Sequence, residues 1–184
     1  MAVSATVDRR ERIIDCNPAA RNGGVRPGMP VPAARAVLHE LHVVTRDPEA
    51  EQRALERLAA WCYQYSSQVC IPGDRAGLLL EAGASRRLFG SPEKLAGRLQ
   101  RELAQLGYHA PAGSAPTPES AWLAAGEYLH LEARGQLRYQ LGALPLDRLQ
   151  LDGSCIQAME RMGFRQLRDL LRLPRKALTR RFGP

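Results

Sequence analysis

The 184-residue sequence predicts an α+β chain, a sheet with covering helices followed by a small all-α tail. Three observations carry that expectation. As far as about residue 126, short β-rich runs alternate with helical periodicities, the pattern of a layered domain. Beyond about residue 145 the pattern is helical throughout. The third observation is punctuation: Asn17-Pro18, Asp47-Pro48, Ser91-Pro92 and Thr117-Pro118 each join an N-capping side chain to a first-turn proline.

Taken in order, VSATV and RIIDC read as a hairpin around the polar segment Asp8 to Glu11. The helix opened by Asn17-Pro18 is stopped by Gly23-Gly24, and a second short helix at about 32–38 precedes a strand at 41–45. The helix opened by Asp47-Pro48 should run to about Tyr65, because Ala54, Leu55, Leu58, Ala59, Cys62 and Tyr63 recur at i, i+3, i+4 spacing. Strands are expected at 68–71 and 77–82, then a helix after Ser91-Pro92 lined by Leu95, Leu99, Leu103 and Leu106. A weak strand at 108–115 and a helix from Thr117 through Ala125 complete this part. The stretch 126–142 has mixed polarity and little periodicity, so the boundary is expected there. Helices follow at 154–162, 164–171 and 174–182, jointed at Gly163 and at Leu173-Pro174.

Composition excludes several classes of function. No apolar run approaches bilayer-spanning length, and MAVSATVDRR lacks the basic head and apolar stretch of a signal peptide, so a cytoplasmic protein is expected. Cys16, Cys62, Cys70 and Cys155 are scattered with no Cys-x-x-Cys pair, which argues against a zinc or redox site. His39 and His42 miss the i, i+4 spacing of a helical metal site by one residue. Gly23, Gly24 and Gly28 lack the Gly-Lys-Ser/Thr ending of a phosphate loop. No cofactor is expected.

Charge is localised. Residues 1–160 hold 18 Lys plus Arg against 18 Asp plus Glu, whereas 161–184 hold eight basic residues and only Asp169, so the whole net +7 lies at the C-terminus. Arg161, Arg165, Arg168, Arg172, Arg175, Lys176, Arg180 and Arg181 are therefore the candidate DNA-binding residues. On one continuous helix, 161, 165, 168 and 172 would share a face. With 5% aromatic residues and none clustered in the sequence, base stacking is not expected.

Four stretches resemble the Y-family DNA polymerases and together cover nearly all of the chain. AARNGGVRPGMPVPAARAV resembles the fingers segment, LHVVTRDPEAEQRALERLAAWCYQYSSQV the strand and long helix of the palm, SSQVCIPGDRAGLLLEAGASRRLFG the acidic motif, and LPLDRLQLDGSCIQAMERMGFRQLRDLLRLPRKALTRRFG a helix-hairpin-helix thumb. In the acidic motif, registering the tail on Leu80, Glu81 and Gly83 places Ala76 and Gly77 where the family carries its metal-binding Asp and Glu. Neither offers the anionic oxygens that two-metal phosphoryl transfer needs. Within the family the chain is most similar to degenerate, ImuB-type mutasome subunits.

That resemblance implies a catalytically inactive, DNA-associated scaffold in SOS-induced translesion synthesis. The implied partners are the DNA backbone, bound without sequence specificity, an error-prone replicative-type DNA polymerase, a RecA-like accessory protein, and the sliding clamp through a tail outside this chain. It further implies fingers-like residues 1–40, a palm-like α/β domain at 41–126 whose opening strand is missing, a linker at 127–144 and a thumb at 145–184. A truncated or partial chain is expected. Arg21 occupies a fingers position that contacts the triphosphate, but Pro18 stands where the family has a tyrosine, leaving Arg21 as a residual nucleotide contact. In the thumb, the hairpin Leu151-Asp152-Gly153-Ser154 has one glycine and an acid that would repel phosphate. Two rivals stay open: a fragment of an active, divergent Y-family polymerase with Asp74 and Glu81 as residual ligands, and a helix-hairpin-helix module unrelated to polymerases.

Overall fold

The structure, a computed structural model, describes residues 1–73, 75–149, 151 and 153–182, with only the backbone of Arg175. The chain forms two compact units, Met1–Arg57 and Leu58–Pro184.

In the first unit β1 (Ala2–Val7) and β2 (Arg10–Cys16) form an antiparallel hairpin, and β3 (Val43–Thr45) pairs parallel with β1, giving the order β2-β1-β3. Val7 pairs with Arg10, so the turn is the two residues Asp8 and Arg9, at φ 50° and 63°. Positive φ at both positions is what a two-residue type I′ hairpin demands, and here two non-glycine residues adopt it. α1 (Pro18–Asn22) is capped by Asn17, whose Oδ1 accepts from Ala20 N at 2.9 Å, and α2 (Val31–Val37) follows. Ala2, Ile13, Cys16, Ala20, Val25, Val31, Ala34 and Leu41 make the core of this unit. Fully burying a side chain such as Ile13 contributes about 1.5–3 kcal/mol.

α3 (Pro48–Cys62) contains the boundary between the units and is capped by Asp47, which accepts from Ala50 N at 2.9 Å. It ends at Cys62, before Tyr65. Tyr63, expected on its apolar face, lies beyond the helix and is 58% exposed.

In the second unit, β4 (Val69–Cys70) and β5 (Leu79–Leu80) form a two-stranded antiparallel ladder. α4 (Arg86–Phe89) and α5 (Pro92–Gln105) follow, the latter capped by Ser91. α6 (Pro118–Gly126) starts with a reciprocal capping box between Thr117 and Ser120. The weak strand expected at 108–115 is absent. Pro111 cannot donate to a ladder, and this segment contributes one bridge, Ser114 to His130. The segment 127–144, expected as a linker, carries α7 (Arg134–Gln140) and a 3-10 turn at Leu141–Ala143, and it buries Leu131, Leu141 and Leu144 against Ala124. α8 (Gly153–Arg161), α9 (Leu167–Leu171) and α10 (Arg175–Phe182) close the chain, packed around Leu146, Met159 and Leu170.

Tyr65, 2% exposed, anchors the other side of this unit. Its ring meets Trp61 edge-on at 5.1 Å and Phe89 at 5.5 Å, and its hydroxyl donates to Glu102. Arg98 lies over both Tyr65 and Phe89 while its Nε pairs with Glu102 at 2.7 Å. No helix among the described residues is long and apolar enough to cross a membrane.

Candidate functional site

The strand expected at 77–82 shortens to Leu79–Leu80, so Ala76 and Gly77 sit in the connection between β4 and β5. Pro72, without an amide to donate, and glycines at 73 and 77 favour a loop over a longer ladder. Ala76 is exposed and Gly77 half-buried. What half-buries Gly77 is an aromatic ring. A Cβ built on Gly77 would lie 2.7 Å from Cη2 and 3.0 Å from Cζ3 of Trp122, on α6.

The surroundings of that ring are cationic. The Arg75 guanidinium stacks 5.4 Å from the Trp122 centroid, a contact worth about 0.5–1 kcal/mol where solvent reaches it. A cleft of about 110 Å³ opens beside the ring, lined by Arg75, Glu119, Trp122, Leu123, Arg148 and Leu149. Arg148 is held in place by Glu127, with Nε and Oε1 3.0 Å apart. Two guanidinium groups against one lining carboxylate disfavour a divalent cation, which needs several anionic oxygens at close range. Among the described residues no group of three or more His, Cys, Asp or Glu is placed to hold a metal ion. Asp74 lies outside the described residues.

Glu81 has a local task. Its Oε1 accepts from Gly83 N at 2.6 Å and its Oε2 from Ala84 N at 3.1 Å, which fixes the turn leading into α4. Its backbone is fixed as well, since Ser66 Oγ donates to Glu81 O at 2.7 Å. Both carboxylate oxygens thus face backbone amides.

The basic residues of the C-terminal part lie on separate elements. Arg161 closes α8, Arg165 lies in the connection between α8 and α9, Arg168 is in α9, Arg172 caps α9, and Arg175, Lys176, Arg180 and Arg181 belong to α10. One continuous helical face over 161, 165, 168 and 172 is therefore not formed. Gly163, at φ +87°, ends α8 with a left-handed turn that a side chain would strain, and α9 starts afresh. Arg161, Arg165, Arg168, Arg172, Lys176, Arg180 and Arg181 are all exposed.

Asp169, the one acid among them, turns inward on the backbone. Its Oδ2 accepts from Arg165 N and Gln166 N, each at 3.0 Å, and these bonds, aided by Arg172 and Arg168, hold its carboxyl below the usual range. The two amides that lead into α9 are thereby satisfied within the protein. The other expected hairpin contains Asp152, which lies outside the described residues. In the first unit, Arg21 lies in the last turn of α1 and pairs with Asp15 at 3.4 Å, also donating to Cys16 O.

Comparison with known proteins settles the lineage. Residues 1–126 match the impB/mucB/samB family (IMS). The chain belongs to that family. Its relative Protein ImuB from Caulobacter vibrioides is 33% identical over 162 residues, 87% of this chain and 35% of that protein. The chain thus spans about a third of the length of the curated relatives it matches. Among solved structures, DinB from Sulfolobus solfataricus superposes with a TM-score of 0.75 at 19% identity, covering 99% of this chain and 55% of that one. An insertion ternary complex of Dbh DNA polymerase gives 0.76 at 18% identity, covering 97% and 55%. At such identities the likeness establishes a shared fold, the α+β Y-family polymerase fold. It extends past residue 126, where the family match stops, into the helices that carry the basic residues.

Trp122, Arg75 and Arg148 are the residues that sequence reasoning did not select. Their only sequence signal was a tryptophan within a capped helix, which reads as core.

Proposed function

We propose that this impB/mucB/samB-family chain is a Y-family polymerase-like subunit without nucleotidyl-transfer chemistry that acts as a DNA-associated scaffold in translesion synthesis. The observation that carries the reading is the Trp122 ring against Gly77. Where the family register expects a carboxylate, the position has no side chain, its space is filled by an indole, and the adjoining cleft presents Arg75 and Arg148. Two-metal catalysis needs the opposite, several hard anionic ligands on rigid elements.

The exposed basic residues of α8, α9 and α10 support the other half of the reading. They are spread over three elements, as suits contact with a phosphate backbone at several points, and the Arg165 and Gln166 amides that lead into α9 are already bonded to Asp169. Binding is thus weak and independent of sequence. The organisation that goes with it is fingers-like 1–40, palm-like 41–126, connecting 127–144 and thumb-like 145–184. Arg21 gives at most a residual nucleotide contact, since Asp15 competes for its guanidinium. The similarity to ImuB supports a role in mutagenic DNA repair, with an error-prone replicative-type polymerase, a RecA-like protein and the sliding clamp as partners of the whole protein.

Primer extension tests the reading. The intact gene product, given primer-template, Mg²⁺ and nucleotides, should bind DNA and extend nothing. Metal-dependent incorporation would overturn it.

A further inference from the structure

Tyr139, on α7, is 85% exposed, the most exposed of the large apolar or aromatic side chains among the described residues. A ring standing in water forgoes the stabilisation of burial and leaves its face open to stacking.

The same helix carries cations. Arg134 begins α7 and Arg138 immediately precedes Tyr139, both exposed. Arg138 Nη2 donates to Leu171 O at 3.4 Å, which ties α7 to the end of α9, where Leu171 is itself 45% exposed and Arg172 is the next residue. One turn beyond Tyr139, Gly142 lies against Arg168, since a Cβ there would be 3.2 Å from that of Arg168. Asp169, the acid on α9, is committed to the Arg165 and Gln166 amides. The fold therefore gathers an exposed ring and arginines from two elements that are distant in sequence.

We propose that Tyr139 is a stacking platform for an unpaired base of single-stranded DNA, with Arg138 and Arg172 meeting the flanking phosphates. This rests on the DNA-contact reading above and specifies its ligand. A ring beside a phosphate-binding surface takes any base, because every base has a π face, whereas a continuous duplex offers no free face. The arginines fit nucleic acid better than an acidic peptide, which would leave the exposed ring without a stacking partner.

Fluorescence anisotropy of the 184-residue chain on labelled oligo(dT) and on a closed hairpin duplex tests the assignment. Tyr139→Ala should weaken oligo(dT) binding about 5- to 150-fold and leave duplex binding unchanged, while Tyr139→Phe keeps both. At 85% exposure neither substitution threatens folding. If Tyr139→Ala binds oligo(dT) as the parent does while Arg165, Arg168, Arg172 and Lys176 changed together to Ala weaken duplex binding, this inference falls and the DNA reading survives. If neither variant changes either affinity, both fall. Equal loss on oligo(dT) and duplex for Tyr139→Ala also overturns the stacking role.

Discussion

The indole of Trp122 occupies the space a side chain would need at Gly77, with Cη2 2.7 Å from the position of a Cβ there. A methyl group at 77 must displace the ring or move the β4–β5 connection. Gly77→Ala should destabilise the protein by about 1–3 kcal/mol, an overpacking cost. At roughly 2–4 °C per kcal/mol for a chain of this size, calorimetry would read a clear drop in Tm. Gly77→Ala combined with Trp122→Ala should cost less than the two separately, because the clash vanishes with the ring. Ala76→Asp with Gly77→Glu should likewise leave primer extension at background.

Glu81 separates the scaffold reading from its closest rival. With both oxygens on the Gly83 and Ala84 amides, Glu81→Ala should lower Tm by freeing the turn into α4 and leave the heat of Mg²⁺ titration unchanged. Mg²⁺-dependent nucleotide incorporation lost on Asp74→Ala would instead establish an active polymerase fragment.

Tyr65 predicts a pH dependence. Burial, with help from the hydrogen bond to Glu102, pushes its phenol up to about 12 from an ordinary value of 10.0. The folded value lies above the unfolded one, so this contribution to stability is complete below about pH 10 and is lost as pH rises toward 12. Urea unfolding between pH 9 and 11.5 should show the parent losing stability faster than Tyr65→Phe. Cys62, raised to about 11 by burial, acts in the same direction in both proteins.

Asp169 makes the opposite case. Its folded value is depressed, chiefly by the amides of Arg165 and Gln166, so its contribution is present above the ordinary carboxyl range and disappears as pH falls through the folded value. Asp169→Ala should remove hydrogen-exchange protection at those two amides and lower Tm at pH 7. At acid pH the variant and the parent should converge.

The basic helices predict a salt slope. If about four of the arginines and lysines meet phosphates, log affinity for duplex DNA should fall against log salt with a slope of about −0.9 per contact. Changing Arg165, Arg168, Arg172 and Lys176 to Ala should flatten the slope, measured by anisotropy from low to moderate salt, and weaken binding alike on unrelated sequences.

The elements legible in the sequence were those fixed by neighbours along the chain. All four cap-proline pairs begin helices where expected, at Pro18, Pro48, Pro92 and Pro118, because a capping side chain reaches amides only two or three residues away. The hairpin of β1 and β2 was legible for the same reason. Features that depend on longer range are less legible. The shared face of Arg161, Arg165, Arg168 and Arg172 dissolved at Gly163, whose left-handed turn restarts the helical phase. The strand expected at 108–115 lacked a partner ladder beyond the single bridge of Ser114, and 127–144 proved to contribute buried leucines to a core.

By itself the sequence determined the family resemblance, the presence of Ala76 and Gly77 in the stretch that resembles the acidic motif, and the concentration of positive charge near the C-terminus, all properties of residue identity and local spacing. Only the tertiary structure decided that Trp122 fills the space at Gly77, that Arg75 stacks on it, and that Arg138 beside Tyr139 is tied to the end of α9. The reason is physical. Capping and turn formation involve atoms a few bonds apart, whereas these contacts join segments whose separation along the chain carries no trace of their distance in space.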